Sequence, residues 1–290
     1  MDSLQLACRS ASSRCLTVNG LSLHALEWPA PGAPGICFLH GGSAHSHWFD
    51  GVIGPFIGRY HVLSLDQRGH GASDWPAPPA YATEDFVSDL LGVMDAMGWA
   101  RMTVVGHSMG GANSMALAAW HPERVDRLVI VDSRPSIPAE RLGMMHQRGA
   151  RALRAPRRHS TPESAVASFR LLPRETVADP RFLAHVARAG IVKREGGWSY
   201  RFDPAANGSR RPHDMWPHLS HITAPTLIVR AALSPVLTGD MAARMRAAIP
   251  DVRLVEVPDA YHHVTLDQPD RFVRAVEGFL AEGLGKLPQA

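Results

Sequence analysis

The chain has 290 residues, of which 45% are hydrophobic and 20% charged, and its formal net charge is +3. These values fit one or two ordinary globular domains and exclude a low-complexity or disulfide-stapled chain. No apolar run reaches the ~18 residues of a membrane span, and the opening MDSLQLACRSASSRC lacks the basic and apolar regions of a secretory signal, so a soluble, cytoplasmic protein is expected.

The small net charge conceals an asymmetry. Residues 134–212 carry 15 Arg and one Lys against six acids, whereas the remainder of the chain is acidic. A basic segment can face nucleic acid, an anionic membrane or an anionic substrate. Here the arginines are scattered among apolar and acidic residues without aromatic interleaving, which points to solvated helix faces with internal ion pairs and to no nucleic-acid or membrane partner. Nothing in the sequence specifies an oligomeric state. Cys8, Cys15 and Cys37 form no CxxC pair, and Cys37 lies within the apolar GICFLHG, a setting for a buried free thiol.

In chain order, short β-branched apolar runs come first and then alternate with amphipathic ones. Strands are expected at 14–18 and 21–28, joined by the hairpin dipeptide Asn19-Gly20, and then at 35–41, 61–66, 102–107, 127–132, 225–231 and 252–258. Helices are expected at 83–98, 109–120, 239–249 and 268–282. Thr83 is the expected cap of the first helix, with Glu84 and Asp85 in its first turn and Gly98 closing it. Such alternation predicts an α/β fold, a mostly parallel eight-stranded sheet flanked by helices.

Between 134 and 215 this alternation gives way to Arg- and Ala-rich helical segments, with WSYRFDP the one extended stretch. The segment reads as a helical lid inserted after the sixth strand into a core formed by 1–133 and 216–290. The tail GLGKLPQA is expected to fray.

The strongest chemical signal is VVGHSMGG. Gly106-His107-Ser108-Met109-Gly110 fits G-x-S-x-G between a β-rich run and a helical one, the strand-turn-helix setting of a nucleophilic serine. A sharp turn there strains the backbone at Ser108, and the glycines two residues to either side relieve the crowding. A serine hydroxyl is a poor nucleophile until an imidazole accepts its proton. Of the 16 histidines, His262 and His263 in VPDAYHHVTLDQP follow the last strand, at the carboxyl edge of the sheet where Ser108 also lies, so one of the two is the expected base. His107 adjoins Ser108 and is not its base; with Ser43 and Trp216 it is a candidate for contact with substrate. His40, His45 and His47 lack a metal-binding spacing and read as loop residues near the pocket mouth, so no metal is expected.

The order of FLHGG, LDQRGHGASD, VVGHSMGG and VPDAYHHVTLDQP resembles the α/β-hydrolase superfamily, in its lidded esterase, haloperoxidase-like and C–C hydrolase branch, over almost the whole chain outside the lid. The resemblance implies His262 as base, with Tyr261 in the glycine position of the usual VPxAGH motif and His263 as fallback. It implies an oxyanion hole from the backbone N–H groups of Met109 and Gly42, and a structural turn formed by Asp66, Arg68 and Gly69. It implies no cofactor.

The resemblance also raises the question of the acid. The family most often places it after the seventh strand in a G-x-x-D pattern, where this chain reads Ala231-Ala232-Leu233-Ser234-Pro235. Other members carry it after the sixth strand, where RLVIVDSRP ends in Asp132, and Asp132 is therefore expected to orient His262, ahead of Asp240, Asp259 and Asp267. Asp240 is better placed to start a helix.

The expected protein is thus a lidded serine hydrolase that cleaves a small-molecule carboxylic ester or lactone through an acyl-enzyme on Ser108. Hydrolysis of a C–C bond would use the same groups, and a cofactor-free oxygenase on this fold is the rival reading. Met144, Met145, Phe169, Phe182, Trp198 and Trp216 are open between lining an acyl pocket and holding the lid together.

Overall fold

The structure, a computed structural model, describes residues 11–282. Cys8 and the tail GLGKLPQA lie outside the described residues.

Ser12–Val18 (β1) and Leu21–Trp28 (β2) form an antiparallel hairpin whose turn residues Asn19 and Gly20 have φ of 51° and 76°, the left-handed pair that a two-residue turn of this hand requires. There follow Gly35–Leu39 (β3), His61–Leu65 (β4), the helix Thr83–Met97 (α1), Met102–His107 (β5), the helix Met109–Trp120 (α2) and Val125–Val131 (β6). The segment after β6 holds the helices Ala139–Arg154 (α3), Pro162–Ala167 (α4) and Pro180–Ala189 (α5), a hairpin of Ile191–Arg194 (β7) and Gly197–Tyr200 (β8), and a single turn Ala205–Gly208 (α6). Thr226–Ala231 (β9), Gly239–Ala248 (α7), Val252–Val257 (β10), Val264–Asp267 (α8) and Pro269–Ala281 (α9) complete the chain.

The main sheet has eight strands in the order β1-β2-β4-β3-β5-β6-β9-β10, and every pairing from β4 to β10 is parallel. Helices cover both of its faces, so the strands are apolar on both sides rather than alternating. Along β6, Leu128 and Ile130 join a core with α1, α2 and α7 residues such as Leu90, Met115 and Met245. Their neighbours Val129 and Val131 join Phe272, Val276 and Phe279 of α9 on the other face. Each such side chain, fully removed from water, contributes roughly 1.5–3 kcal/mol. Cys37 lies in this interior, and burial pushes its thiol up to about 12.

Two local expectations are corrected. Thr83 does not cap α1: Ala82 occupies that position, the Asp85 carboxylate accepts the Ala82 N–H at 2.7 Å, and Thr83 Oγ1 accepts the His213 N–H at 2.9 Å. A carboxylate at the third helical position satisfies the orphan amide that a capping hydroxyl leaves. Gly98 ends the helix in the left-handed conformation, with φ of 69°. The segment 134–215 holds helices, but its extended part is a hairpin rather than one stretch: Ile191–Arg194 pairs with Gly197–Tyr200 across a turn at Gly196 and Gly197, whose φ values are 79° and 129°.

β6 and β9 are neighbours in the sheet. The two are parallel, so the segment between them leaves from the edge at which β3, β5 and β6 end, and the chain crosses to the opposite edge before it enters β9.

Candidate active site

Ser108 sits between β5 and α2 with φ of 53° and ψ of −113°, outside the regions an L-residue ordinarily occupies. The neighbouring glycines make this turn possible. A Cβ on Gly110 would lie 2.2 Å from the Leu39 carbonyl oxygen, and one on Gly106 would lie 2.4 Å from the Gly110 carbonyl oxygen. Hydrogen bonds hold the turn from three sides: Ser108 N–H to the Val131 carbonyl at 3.0 Å, Gly110 N–H to the His40 carbonyl at 3.1 Å, and the Ser133 hydroxyl to the Ser108 carbonyl at 2.6 Å.

His262 lies on the loop between β10 and α8 and is buried. Its Nε2 accepts the Ser108 hydroxyl at 3.0 Å, and its Nδ1–H donates to Asp132 Oδ2 at 2.7 Å. Asp132 follows β6 with φ of 42°, is fully buried, and accepts two further protons: the Ala231 N–H at 3.1 Å on Oδ1 and the Ser234 hydroxyl at 2.5 Å on Oδ2. A buried carboxylate is stabilised only where such donors replace its lost water. The loop after β9 thus supplies no acid of its own, but it supplies donors to the carboxylate that stands one strand away.

The other candidates for the acid are elsewhere. Asp240 is in the first turn of α7, Asp259 pairs at 3.7 Å with Arg271 at the surface, and Asp267 accepts the Tyr261 N–H at 2.8 Å and the Val177 N–H at 3.1 Å. Asp267 also accepts the Thr176 hydroxyl, so it ties the loop bearing His262 to the segment 134–215. Tyr261 is not among the residues with positive φ, and the loop therefore has no conformational need for glycine at that position. His263 turns away from Ser108: its Nε2–H donates to the Pro173 carbonyl at 3.1 Å, and burial, reinforced by the nearby His262, pulls its pKa down to about 3. His107 donates from Nε2 to the His262 carbonyl at 2.9 Å and is held well below the usual imidazole range by burial and by its neighbours His262 and His263. It braces the His262 backbone.

Ser108 and His262 line a cavity of about 80 Å³ together with Gly41, Gly42, Ser43, Ala44, Trp48, His107 and His263 from the core and Phe169, Arg170, Leu171 and Leu172 from the segment 134–215. Met109 opens α2, so its N–H is one of the helix-start donors without an intrahelical acceptor. Gly42 faces open space: a Cβ there would meet only Met109 Sδ, at 4.0 Å. Crowding falls instead on Gly41, whose Cβ would lie 3.1 Å from His107 Nδ1 and 3.3 Å from Ser108 Cβ. Ser43 lines the cavity with φ of 61°, and its hydroxyl accepts Asn207 Nδ2 at 3.2 Å.

Trp216 does not line the cavity; it starts a 3-10 turn, packs against the core cluster that holds Met115 and Met245, and has Arg244 stacked on its ring at 4.2 Å. Of the six large side chains left open above, only Phe169 reaches the cavity. Met144 is 45% exposed, and Phe182 packs with Leu171 and Trp48 behind it. Sequence reasoning missed Arg170, Leu171, Leu172 and the role of Ser234. The first three lie in a segment with no periodic signal, whereas Ser234 stood in plain view at the place where an acid was sought.

His40 and His45 are buried and pulled down to about 3 and 4, chiefly by burial. His40 Nδ1–H donates to the Gly41 carbonyl at 2.7 Å, and His45 Nε2–H donates to the Val186 carbonyl at 3.0 Å. The turn LDQRGHG is structural as expected. Asp66 accepts Ser46 N–H at 2.6 Å and Ala72 N–H at 2.9 Å, Arg68 forks onto both oxygens of Asp89 at 2.6 Å, and Gly69 has φ of 73°.

A serine on a strained strand-to-helix turn, bonded to a histidine that is bonded to a buried aspartate, defines a site able to activate an alcohol for attack on an electrophilic carbon. Residues 34–269 match the family model for the alpha/beta hydrolase fold, and the chain belongs to this family. It is similar to a 2-(acetamidomethylene)succinate hydrolase of Mesorhizobium japonicum, with 28% identity over 92% of this chain and 95% of that protein. It is also similar to an esterase of Mycobacterium tuberculosis, with 30% identity over 89% and 86% of the two chains. Among solved structures, it resembles an enol-lactonase of Burkholderia xenovorans LB400, at a TM-score of 0.77 and 25% identity over 92% of this chain and 100% of that one. No described helix is long and apolar enough to cross a membrane.

Proposed function

We propose that this hydrolase cleaves a small carboxylic ester or lactone through an acyl-enzyme on Ser108, with His262 as general base and Asp132 as its orienting acid. The observation that carries the reading is the unbroken chain Asp132 Oδ2 to His262 Nδ1 at 2.7 Å and His262 Nε2 to Ser108 Oγ at 3.0 Å, on a serine held at φ of 53°.

In the first half-reaction, His262 Nε2 takes the hydroxyl proton as Ser108 Oγ bonds to the acyl carbon, and the carbonyl π electrons move onto oxygen. The N–H groups of Met109 and Gly42 receive that oxyanion, each donor contributing about 3–4 kcal/mol to the transition state. Asp132 keeps the Nδ1 proton in place and stabilises the imidazolium. The imidazolium then gives its Nε2 proton to the leaving alkoxide, and the ester C–O bond breaks. Water enters, His262 removes its proton, and the acyl group departs as a carboxylic acid while Ser108 recovers its proton.

The segment 134–215 serves as a lid in this reading, since Phe169, Arg170, Leu171 and Leu172 close the cavity from that side. A space of about 80 Å³ suits a short acyl group. The names of the esterase and lactonase relatives agree with this chemistry. The test is turnover across p-nitrophenyl esters of rising chain length and a set of lactones. The reading expects activity that falls with acyl length and disappears in Ser108→Ala; turnover that survives Ser108→Ala would contradict it.

A further inference from the structure

Helix α5 meets the core at a cluster the reaction does not use. His47 Nδ1 and His185 Nε2 both hydrogen-bond to the same atom, Asp50 Oδ2, each at 2.8 Å. The three donor atoms lie within 4.8 Å of one another. The Asp50 side chain is 1% exposed, whereas the imidazoles are 34% and 30% exposed. A carboxylate taken out of water and faced by two imidazoles at a solvent-accessible rim is a ready set of ligands.

We propose that His47, Asp50 and His185 bind a divalent transition-metal ion of the zinc class, which fastens α5 to the core loop following β3. Two imidazole nitrogens and one carboxylate oxygen suit zinc, nickel, cobalt or copper and suit magnesium or calcium poorly. Bonds of about 2.1 Å at angles between a right angle and the tetrahedral value place neighbouring donors about 3.0–3.4 Å apart, so the two 2.8 Å spacings to Asp50 need open by a few tenths of an ångström, and the two imidazole nitrogens, within 4.8 Å of each other, settle to the same range. Both rings are exposed enough to make that adjustment. The ion takes the lone pairs of His47 Nδ1 and His185 Nε2: a neutral ring moves its proton to its other nitrogen, a charged ring releases one to solvent, and water fills the remaining positions.

The ligands span two parts of the chain that already pack closely. A Cβ on Gly51 would lie 3.1 Å from the Phe182 ring, and that ring stacks on His185 with an interplanar angle of 15°. Phe182 and Val186 of α5 share an apolar cluster with Trp48 and Leu171, both of which line the cavity beside Ser108. A bound ion would therefore restrain the part of the segment 134–215 that borders the cavity.

The sequence hides this set because Asp50 and His185 are 135 residues apart, and the histidine-rich loop alone supplies one ligand too few.

The test uses the full chain, freed of metal with chelator and dialysed. Zinc chloride is titrated by calorimetry, cobalt chloride by visible absorption, and thermal melting is followed with and without zinc. The proposal expects one equivalent of zinc at about micromolar Kd or tighter, a ligand-field band with cobalt, and a melting temperature raised by zinc. His185→Gln and His47→Gln should each weaken zinc by at least ~10-fold and remove the cobalt band, while melting in chelator shows both variants folded. His213 and His218 form a rival imidazole pair with Nε2 atoms 3.2 Å apart, so His213→Gln should leave zinc affinity unchanged. Absence of binding to wild type at about millimolar zinc, or equal binding by wild type and His185→Gln, overturns the proposal.

Discussion

Ser234 donates its hydroxyl to Asp132 Oδ2 at 2.5 Å, on the same oxygen that His262 contacts at 2.7 Å. The loop position where an acid is commonly found thus holds a serine that bonds the acid on the neighbouring strand. β6 and β9 are adjacent and parallel in the sheet, so a carboxylate at the end of either one reaches the same imidazole.

Replacing Asp132 by Asn keeps the volume but offers an amide to the imidazole, which favours the wrong tautomer. We expect kcat for the best p-nitrophenyl ester to fall about 10⁴-fold while the circular dichroism spectrum is retained. Near-normal turnover would remove Asp132 from the mechanism.

Ser234→Ala removes one charge-assisted donor and leaves Asp132 with the Ala231 N–H and His262 Nδ1–H. A bond of that kind is worth about 1.5–3 kcal/mol, so kcat/KM should drop by roughly 10- to 100-fold if the bond acts through catalysis. A loss of stability with unchanged kcat/KM would limit Ser234 to holding the loop.

The two glycines of HGG should separate. Gly41→Ala brings a methyl group to 3.1 Å from His107 Nδ1 and 3.3 Å from Ser108 Cβ, which displaces the serine turn, so both kcat and melting temperature should fall. Gly42→Ala enters open space on the cavity side, and its effect should appear in KM and kcat with the melting temperature unchanged. Equal losses of stability would contradict the assignment of crowding to Gly41.

Acid should destabilise the fold well above the carboxylate range. Burial holds His40 and His263 down to about 3 and His45 and His70 down to about 4, against an ordinary value of 6.5. The unfolded chain therefore binds more protons below about pH 6.5, and stability is lost progressively as pH falls from there toward about 4. His47 has the opposite sign. Burial works against its charge, but the hydrogen bond and attraction of Asp50 prevail and raise its pKa, while the two imidazoles lower that of Asp50 despite burial. The His47 contribution is fully present below about pH 6.5 and lost as pH rises through its raised value, and that of Asp50 is present above about pH 3.8. In chelator, wild-type melting should fall between pH 7 and 5, and the deficit of His47→Gln relative to wild type should be larger at pH 5.5 than at pH 9. A flat wild-type profile would contradict the first expectation, and a deficit independent of pH the second.

The fold was legible because its core strands are apolar on both faces and its helices start and stop with recognisable chemistry; RLVIVD and VVGH could only be buried parallel strands once their neighbours were placed. The meeting of residues 108, 132 and 262 was legible because each lies just beyond a strand at one edge of the sheet. Within the segment 134–215 the hairpin was not legible: β7 lies in IVKREGG, too short and too charged to announce a strand, and it is held by pairing with β8. Trp216 was misplaced because a large aromatic near a pocket and one sealing the outer face of a core look alike in sequence. Ser234 was missed because a hydroxyl is informative only when its partner is known.

Rapid-quench intact-protein mass spectrometry during turnover of a short p-nitrophenyl ester tests the central claim most directly. The account predicts an adduct of one acyl mass, mapped to Ser108 by peptide digestion, that forms at least ~10³-fold more slowly in Asp132→Asn. Full turnover with Ser108 unmodified under conditions that trap the burst, or an adduct on another residue, would contradict it.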